Sequence, residues 1–375
     1  MKIRDAQVLG VRVNHRGDWL FVRLETDDGL VGVGEASHGG DDAALARLVA
    51  RTLGPALREG DPTAIEPLWH ELVRLAGGGC ALGRLEATAV SGVEQALWDL
   101  NARALGVPIH RLLGGALRDR IPLYANVNRA VTDRSPGGFA VATREAVEEG
   151  FRAVKLAPFD GVDRTMTDPS DVRVRAGIER VRAVRDGVGP DVVVMVDCHG
   201  RFNQEMAVRV ARELGPIGLF WYEEPIRFED DPDGLAEVSA AVDQPVAGGE
   251  HLFGRVAFWP LIERRAVATI MPDVKHCGGL WEGRKIAALA ETAGLTVSPH
   301  NPSGPIAALV SAHLAATLPN FSHLEYAWGE VPWRASLTDP PEQILDGALV
   351  LPGGPGLGVT LDEATLAERG FDPSD

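Results

Sequence analysis

Eight short apolar runs, most of them ending on ionisable residues, constrain this chain more than anything else in it. They are IPLYANVN (121–128), AVKLAPF (153–159), VVVMVDCH (192–199), LFWYEEP (219–225), PVAGGE (245–250), ATIMPDV (268–274), LTVSPHN (295–301) and SHLEYA (322–327). Continuous apolar runs of this length read as strands buried on both faces, as in a parallel sheet. Helical patterns such as 140–150, 171–187, 204–214 and 283–293 lie between them. Strand–helix alternation with right-handed crossovers predicts a closed parallel α/β barrel. The runner-up is an open doubly wound sheet. No GxGxxG follows an early strand, which counts against a dinucleotide-binding version of that sheet.

The run VVVMVDCH shows why the strand ends matter. Alternation sends Asp197 and His199 to one face and Cys198 to the other. In a barrel, every strand's C-terminal end opens at a single mouth. Lys155, Asp197, His199, Glu223, Glu224, Glu250, Asp273, His300 and Glu325 all fall at such ends. Several carboxylates buried together repel one another unless a cation neutralises them. Asp197, Glu223 and Glu250 lie 26 and 27 residues apart, one strand–helix unit each. Three oxygen ligands with open positions suit Mg²⁺, so these are the expected metal ligands. Glu224 alternates away from the mouth and is expected behind the ligands. Cys198 is expected in the core.

Outside this region the chain reads differently. Residues 1–35 suggest a β-meander, and 42–75 a helical stretch with breaks at Pro55 and Pro62. Residues 84–105 have the apolar spacing of a long helix ending at Gly106, and LLGG at 112–115 reads as a domain boundary. The net charge of −16 disfavours nucleic acid and anionic membrane as partners. No run approaches the length of a membrane span, and the first residues lack a signal-peptide core. Cys80, Cys198 and Cys277 make no metal or redox spacing, so a reduced cytoplasmic setting is expected.

Taken together, GVGEA, SGVEQALWDLNARALG, VDCHGR, WYEEP, GGEHLFGR, MPDVKHCGG, SPHNPSGP and PGLGV resemble the enolase superfamily. The resemblance is to its mandelate racemase-like subgroup, nearest the acid-sugar dehydratases of the D-galactonate dehydratase type. It runs over almost the whole length. It implies a modified TIM barrel, (β/α)₇β, under an α+β capping domain. The expected boundaries are 1–118 for the cap, completed by 328–375, and 119–327 for the barrel. It implies Mg²⁺ and a homo-oligomer acting on a small sugar-acid carboxylate.

The resemblance also implies roles. His300 removes the proton α to the carboxylate, and Asp273 orients its ring. Mg²⁺ and Lys155 hold the resulting enediolate. His199 acts as acid on the departing β-hydroxyl, and Glu325 sits beside the carboxylate. The product is a 2-keto-3-deoxy acid. Racemases of the subgroup carry a second lysine two residues after the first, whereas this chain has Lys155-Leu156-Ala157. One face then lacks a base, which favours elimination over racemisation. Cycloisomerisation or epimerisation by the same chemistry is the alternative, and a non-catalytic sugar-acid-binding barrel is a remote one. Specificity is expected from loops 14–19 and 37–42 and from Arg201, Asn203 and Asn301. SPHNPSGP differs from the PHCPLGP associated with galactonate dehydratases, which leaves the sugar open. His15 and His38 are expected in loops over the site, and His251 and His276 at the mouth. His70, His110, His313 and His323 are expected in packing or at the surface.

Overall fold

The computed structural model describes residues 1–78 and 82–374 of the chain, so Cys80 lies outside the described residues. The N-terminal part begins as an antiparallel meander, β1 (Ile3–Asn14), β2 (Gly17–Thr26) and β3 (Val31–Glu35). Four helices follow: α1 (Asp42–Leu48), α2 (Gly54–Glu59), α3 (Ile65–Ala76) and α4 (Arg84–Ala104). Pro55 does not break the 42–59 stretch. It sits in the first turn of α2, where its missing N–H costs nothing. After the short α5 (Ile109–Leu112) the chain enters eight parallel strands. These are β4 (Arg120–Asn126), β5 (Ala153–Leu156), β6 (Val193–Asp197), β7 (Trp221–Glu223), β8 (Val246–Gly248), β9 (Thr269–Ile270), β10 (Thr296–Val297) and β11 (Leu324–Tyr326). Seven helices alternate with them: α6 (Pro136–Glu148), α7 (Val172–Val188), α8 (Gln204–Leu214), α9 (Pro232–Ala241), α10 (Gly254–Glu263), α11 (Leu280–Thr292) and α12 (Pro305–Ala316).

The parallel ladder runs unbroken from β4 to β10, and β11 pairs with β4. The remaining seam is narrow. Val297 bridges Phe321 in parallel, with Val297 N donating to Asn320 O and Ser322 N donating to Val297 O, each 2.9 Å. The strands therefore form a ring, and the open doubly wound sheet is set aside. The expected strands were all longer than those observed, because most of their C-terminal residues leave the ladder to build the mouth.

Alternation sorts the ring's side chains into layers. Tyr124, Ala153, Met195, Trp221, Ala247 and Met271 form a small, fully buried apolar cluster. One step further along the same faces come Asn126, Lys155, Asp197 and Glu223. An apolar floor thus lies directly beneath a charged layer. The intervening Val154, Val194, Val196 and Tyr222 point outward into the core shared with the helices.

The tail after β11 forms β12 (Thr338–Asp339), β13 (Ile344–Leu345), β14 (Ala348–Val350), β15 (Thr360–Leu361), α13 (Glu363–Arg369) and β16 (Gly370–Phe371). β14 pairs antiparallel with β4, and β16 pairs antiparallel with β1. Helix α4 joins the meander to the ring. A Cβ on Gly34 would lie 2.1 Å from the Gly92 carbonyl oxygen, so β3 can approach α4 this closely only through glycine. Buried polar side chains of α4 reach across the joint. Glu94 accepts from the backbone N–H groups of Leu280 and Trp281, and Gln95 binds Glu35 and Val274. Asp99 accepts from Val33 N and Leu357 N. Glu35 likewise accepts from Gly304 N and Ala307 N, both at 2.8 Å.

Candidate active site

Asp197 and Glu223 end neighbouring strands in register, and Glu250 follows β8 after Gly249, whose φ of 104° turns the chain inward. Their carboxylate oxygens lie within 4.8 Å of one another, and all three side chains are buried. Trp221 Nε1 and Lys155 Nζ donate to the two oxygens of Glu223, at 2.9 and 2.7 Å. Glu250 Oε2 is buried with no hydrogen-bond partner, which is costly for a carboxylate oxygen. Burial, then repulsion from Asp197 and Glu325, pushes Glu223 up to about 8 against the pull of Lys155. Burial and its acidic neighbours push Glu250 well up too. Burial also raises Asp197, but His199 and Lys155 hold it net below the usual carboxylate range. An all-oxygen cluster with mutual repulsion and an unpartnered inward oxygen fits a hard divalent cation.

The opposite side is built differently. Asp273 Oδ2 accepts from His300 Nδ1 at 2.8 Å and from Lys275 Nζ at 3.0 Å. Burial raises Asp273, but Lys275, His276 and His300 outweigh it and hold the carboxyl well below its usual range. With Nδ1 bound to Asp273, Nε2 of His300 faces inward, 3.4 Å from Glu250 Oε2 and 3.9 Å from Glu325 Oε2. Burial lowers His300 despite Glu325 and Asp273, which favours the neutral imidazole. Glu325 accepts from Asn126 Nδ2 at 2.6 Å and from Asn301 N at 2.8 Å. Lys155 Nζ lies between Glu223 and Glu325, over the Tyr124 ring. Burial lowers it, but these two carboxylates win and keep it cationic.

His199 also reaches the cluster. Its Nε2 lies 2.7 Å from Asp197 Oδ2, yet 41% of the side chain is exposed. Strand alternation is not what joins the pair. The ladder ends at Asp197, and His199 has φ of 49°, so a turn folds the imidazole back. Asp197 attraction raises His199 against the opposing effect of desolvation.

Two expectations need correction. Glu224 does not alternate away from the site: with φ of 37° it leaves the strand twist and joins Glu250 and His251 in a second carboxylate–imidazole group. The alternation rule fails there because β7 has already ended. His276 is not at the mouth. It is buried, with Nδ1 2.8 Å from the Thr88 hydroxyl of α4. His251 does remain at the mouth, 3.4 Å from Glu250. His38 is packed near Asp42 with a buried, unpartnered Nε2. Cys198 is fully buried, as expected, and so is Cys277.

The sequence reading missed Lys275, Arg134 and Asn126. Lys275 had a signal, since Asp273-Val274-Lys275 repeats the acid-x-base spacing of Asp197-Cys198-His199. Arg134 had none. It lies in a loop, and its place at the mouth follows from its ion pair with Asp160.

The family is settled by comparison with other sequences. Residues 3–114 match the mandelate racemase / muconate lactonizing enzyme N-terminal domain, and residues 138–365 match the enolase C-terminal domain-like family. The chain belongs to the enolase superfamily. Within it, a D-xylonate dehydratase from Haloferax volcanii is 34% identical over 96% of this chain and 88% of its own. A D-galactonate dehydratase from Verminephrobacter eiseniae is 34% identical over 95% of this chain and 92% of its own. Among solved structures, a mandelate racemase/muconate lactonizing enzyme from Jannaschia sp. CCS1 is 29% identical and superposes with a TM-score of 0.91. That match covers 99% of this chain and 98% of the other. A Salmonella Typhimurium member of the enolase superfamily gives 0.85 at 27% identity, over 99% of both chains. The similarity to proteins named as acid-sugar dehydratases thus covers 95–96% of this chain. No helix among the described residues is long and apolar enough to cross a membrane.

Proposed function

We propose that this enolase-superfamily member dehydrates a sugar acid, with Asp197, Glu223 and Glu250 holding one Mg²⁺. When bound, the cation supplies positive charge to the substrate carboxylate as its α-proton is lost. The remaining work falls to side chains. His300 takes the α-proton at Nε2, the atom that faces the cluster, while Asp273 holds Nδ1 and supports the charge that develops on the ring. Lys155 keeps a fixed cation under the substrate carboxylate, and Glu325 limits how that carboxylate can turn. His199 protonates the β-hydroxyl, which leaves as water with the C–O bonding pair. The α C–H pair becomes the new double bond, and tautomerisation gives a 2-keto-3-deoxy acid.

One observation carries this reading. The inward imidazole stands on the Asp273 side, and Ala157 occupies the place where a second base would serve the other face. A single base suits elimination and not racemisation. We read residues 1–118 with 328–375 as the cap and 119–327 as the catalytic unit, supported by the β16–β1 pairing.

The test is 2-keto acid formation by the Mg²⁺-loaded protein across a panel of sugar acids. Conversion of any member, abolished by His300→Asn, supports the proposal. Exchange of the α-proton with solvent deuterium without loss of water would replace it with epimerisation or cycloisomerisation.

A further inference from the structure

A cavity of about 540 Å³ opens beside Asp197 and His199, within the usual size range of small-ligand sites. Its lining also carries four arginines: Arg16, Arg134, Arg180 and Arg201. Such a concentration is unexpected on a chain of net charge −16. Away from the Asp197 end, the single carboxylate lining it is Asp160. Arg134 holds Asp160 with two hydrogen bonds of 2.8 Å, and Arg180 lies 3.4 Å from the same group. Among the described residues, neither Arg16 nor Arg201 has a carboxylate within 4.0 Å. Arg201 donates only to the Val162 carbonyl.

Arg16 is the sharper case. It sits at the exposed tip between β1 and β2 and projects over the cavity. Partial desolvation and the Arg129 and Arg134 charges outweigh Glu330 and Asp160 and disfavour its cation, so an incoming anion there relieves repulsion. Ala157 lines the same cavity, and its carbonyl accepts from Arg134 at 2.8 Å. His199 and the four arginines thus share one cavity.

The direction of this cavity matters. On the reading above, the α-carbon faces His300 and the β-hydroxyl faces His199. Carbons beyond the β position then extend away from His300 and into the arginine-lined space. A terminal hydroxymethyl group would leave unneutralised guanidinium groups around it. A terminal anion would pair with them through forked, charge-assisted hydrogen bonds.

We propose that the cavity is a subsite for a second anionic group, so that the substrate is a sugar acid bearing a carboxylate or a phosphate at its far end. This rests on the sugar-acid reading of the site, and the test separates the two. The panel holds C5 and C6 aldonates, the matching aldarates, and aldonates phosphorylated on the terminal oxygen. Each is titrated calorimetrically into Mg²⁺-loaded His300→Asn protein, and each is offered to the unmodified protein for 2-keto acid formation.

The expected result is that one doubly anionic class binds roughly 10- to 100-fold tighter than its alcohol-ended counterpart, as one or two charge-assisted hydrogen bonds would give. Preference for aldarates assigns a carboxylate, and preference for the phosphorylated acids assigns a phosphate. Arg16→Gln and Arg201→Gln should each shrink that ratio several-fold. Equal affinity for the two ends, or no binding by any doubly anionic acid, overturns the subsite. Tight, arginine-dependent binding without keto acid from any compound keeps the subsite and overturns the dehydration. Turnover of alcohol-ended acids alone does the reverse.

Discussion

The two walls of the site solve the problem of buried charge in opposite ways. On one wall Asp197, Glu223 and Glu250 converge from successive strands with more negative charge than Lys155 can balance, and burial pushes Glu223 and Glu250 up. On the other, Asp273 has its own cation in Lys275 and its own proton donor in His300, and stays low. On the proposed reading, the first wall is completed by a cation from outside the chain. The second is complete as folded. Both stand on the same apolar floor, so the difference comes from the partners and not from the depth of burial.

The largest expected effect separates the walls by chemistry. His300→Asn should lower kcat by about a thousandfold, the scale of a lost general base, once a substrate is found. It should leave the Mg²⁺-induced rise in Tm intact. Glu223→Gln should abolish that rise, which for the unmodified protein corresponds to about 2.7 kcal/mol when Mg²⁺ exceeds its Kd by about 100-fold. A rise that survives Glu223→Gln, or vanishes in His300→Asn, would show that the two walls are not independent.

Next come the lysines, one behind each wall. Lys155→Met leaves Glu223 and Glu325 buried without their cation, and Lys275→Met does the same to Asp273. Removing one partner of a buried pair costs roughly 3–5 kcal/mol. Thermal unfolding with and without Mg²⁺ should rescue much of the loss in Lys155→Met, because the added cation neutralises Glu223. It should rescue little in Lys275→Met. Equal rescue would contradict the assignment of Lys275 to a self-sufficient wall.

How much of this was legible in the sequence follows from where the backbone rules hold. Asp197 and Glu223 lie inside strands, so period-two alternation places them correctly on the inner face, above Met195 and Trp221. Glu224 and His199 lie one and two residues past their strands, where positive φ replaces alternation, and direction could not be read from spacing. His276 shows a tertiary effect. Its neighbour Asp273 belongs to the mouth, but the Thr88 hydroxyl of α4 captures the imidazole, and no local pattern announces that meeting. The arginine cavity is least legible of all, since Arg16, Arg134, Arg180 and Arg201 come from four separate segments. A second cavity, about 700 Å³, lies between β1 and the C-terminal helix and carries none of the strand-end residues. Volume alone would therefore have misplaced the site.

The smallest effect tests whether pH changes at the mouth can be told from pH changes in the scaffold. His110 and His313 stack at 5.3 Å with their Nδ1 atoms 3.1 Å apart, buried between α5 and α12. His313 Nε2 faces the Leu357 carbonyl oxygen, so it donates there and its Nδ1 accepts from His110. A proton on His313 would set two donors against each other. Burial first, and then His110, lowers His313 to about 3 from its ordinary 6.5. The unfolded chain then binds the proton more readily than the folded one. The stabilisation is fully present above about pH 6.5 and is lost as pH falls toward about 3, amounting to about 2 kcal/mol by about pH 5. Chemical denaturation from pH 7 down to pH 5 should show this loss at any Mg²⁺ concentration, and His313→Leu should remove about that much of the slope even if that variant is less stable throughout. A slope that depends on Mg²⁺ would place the titrating groups in the carboxylate wall, and one unchanged in His313→Leu would place them in other buried histidines such as His276.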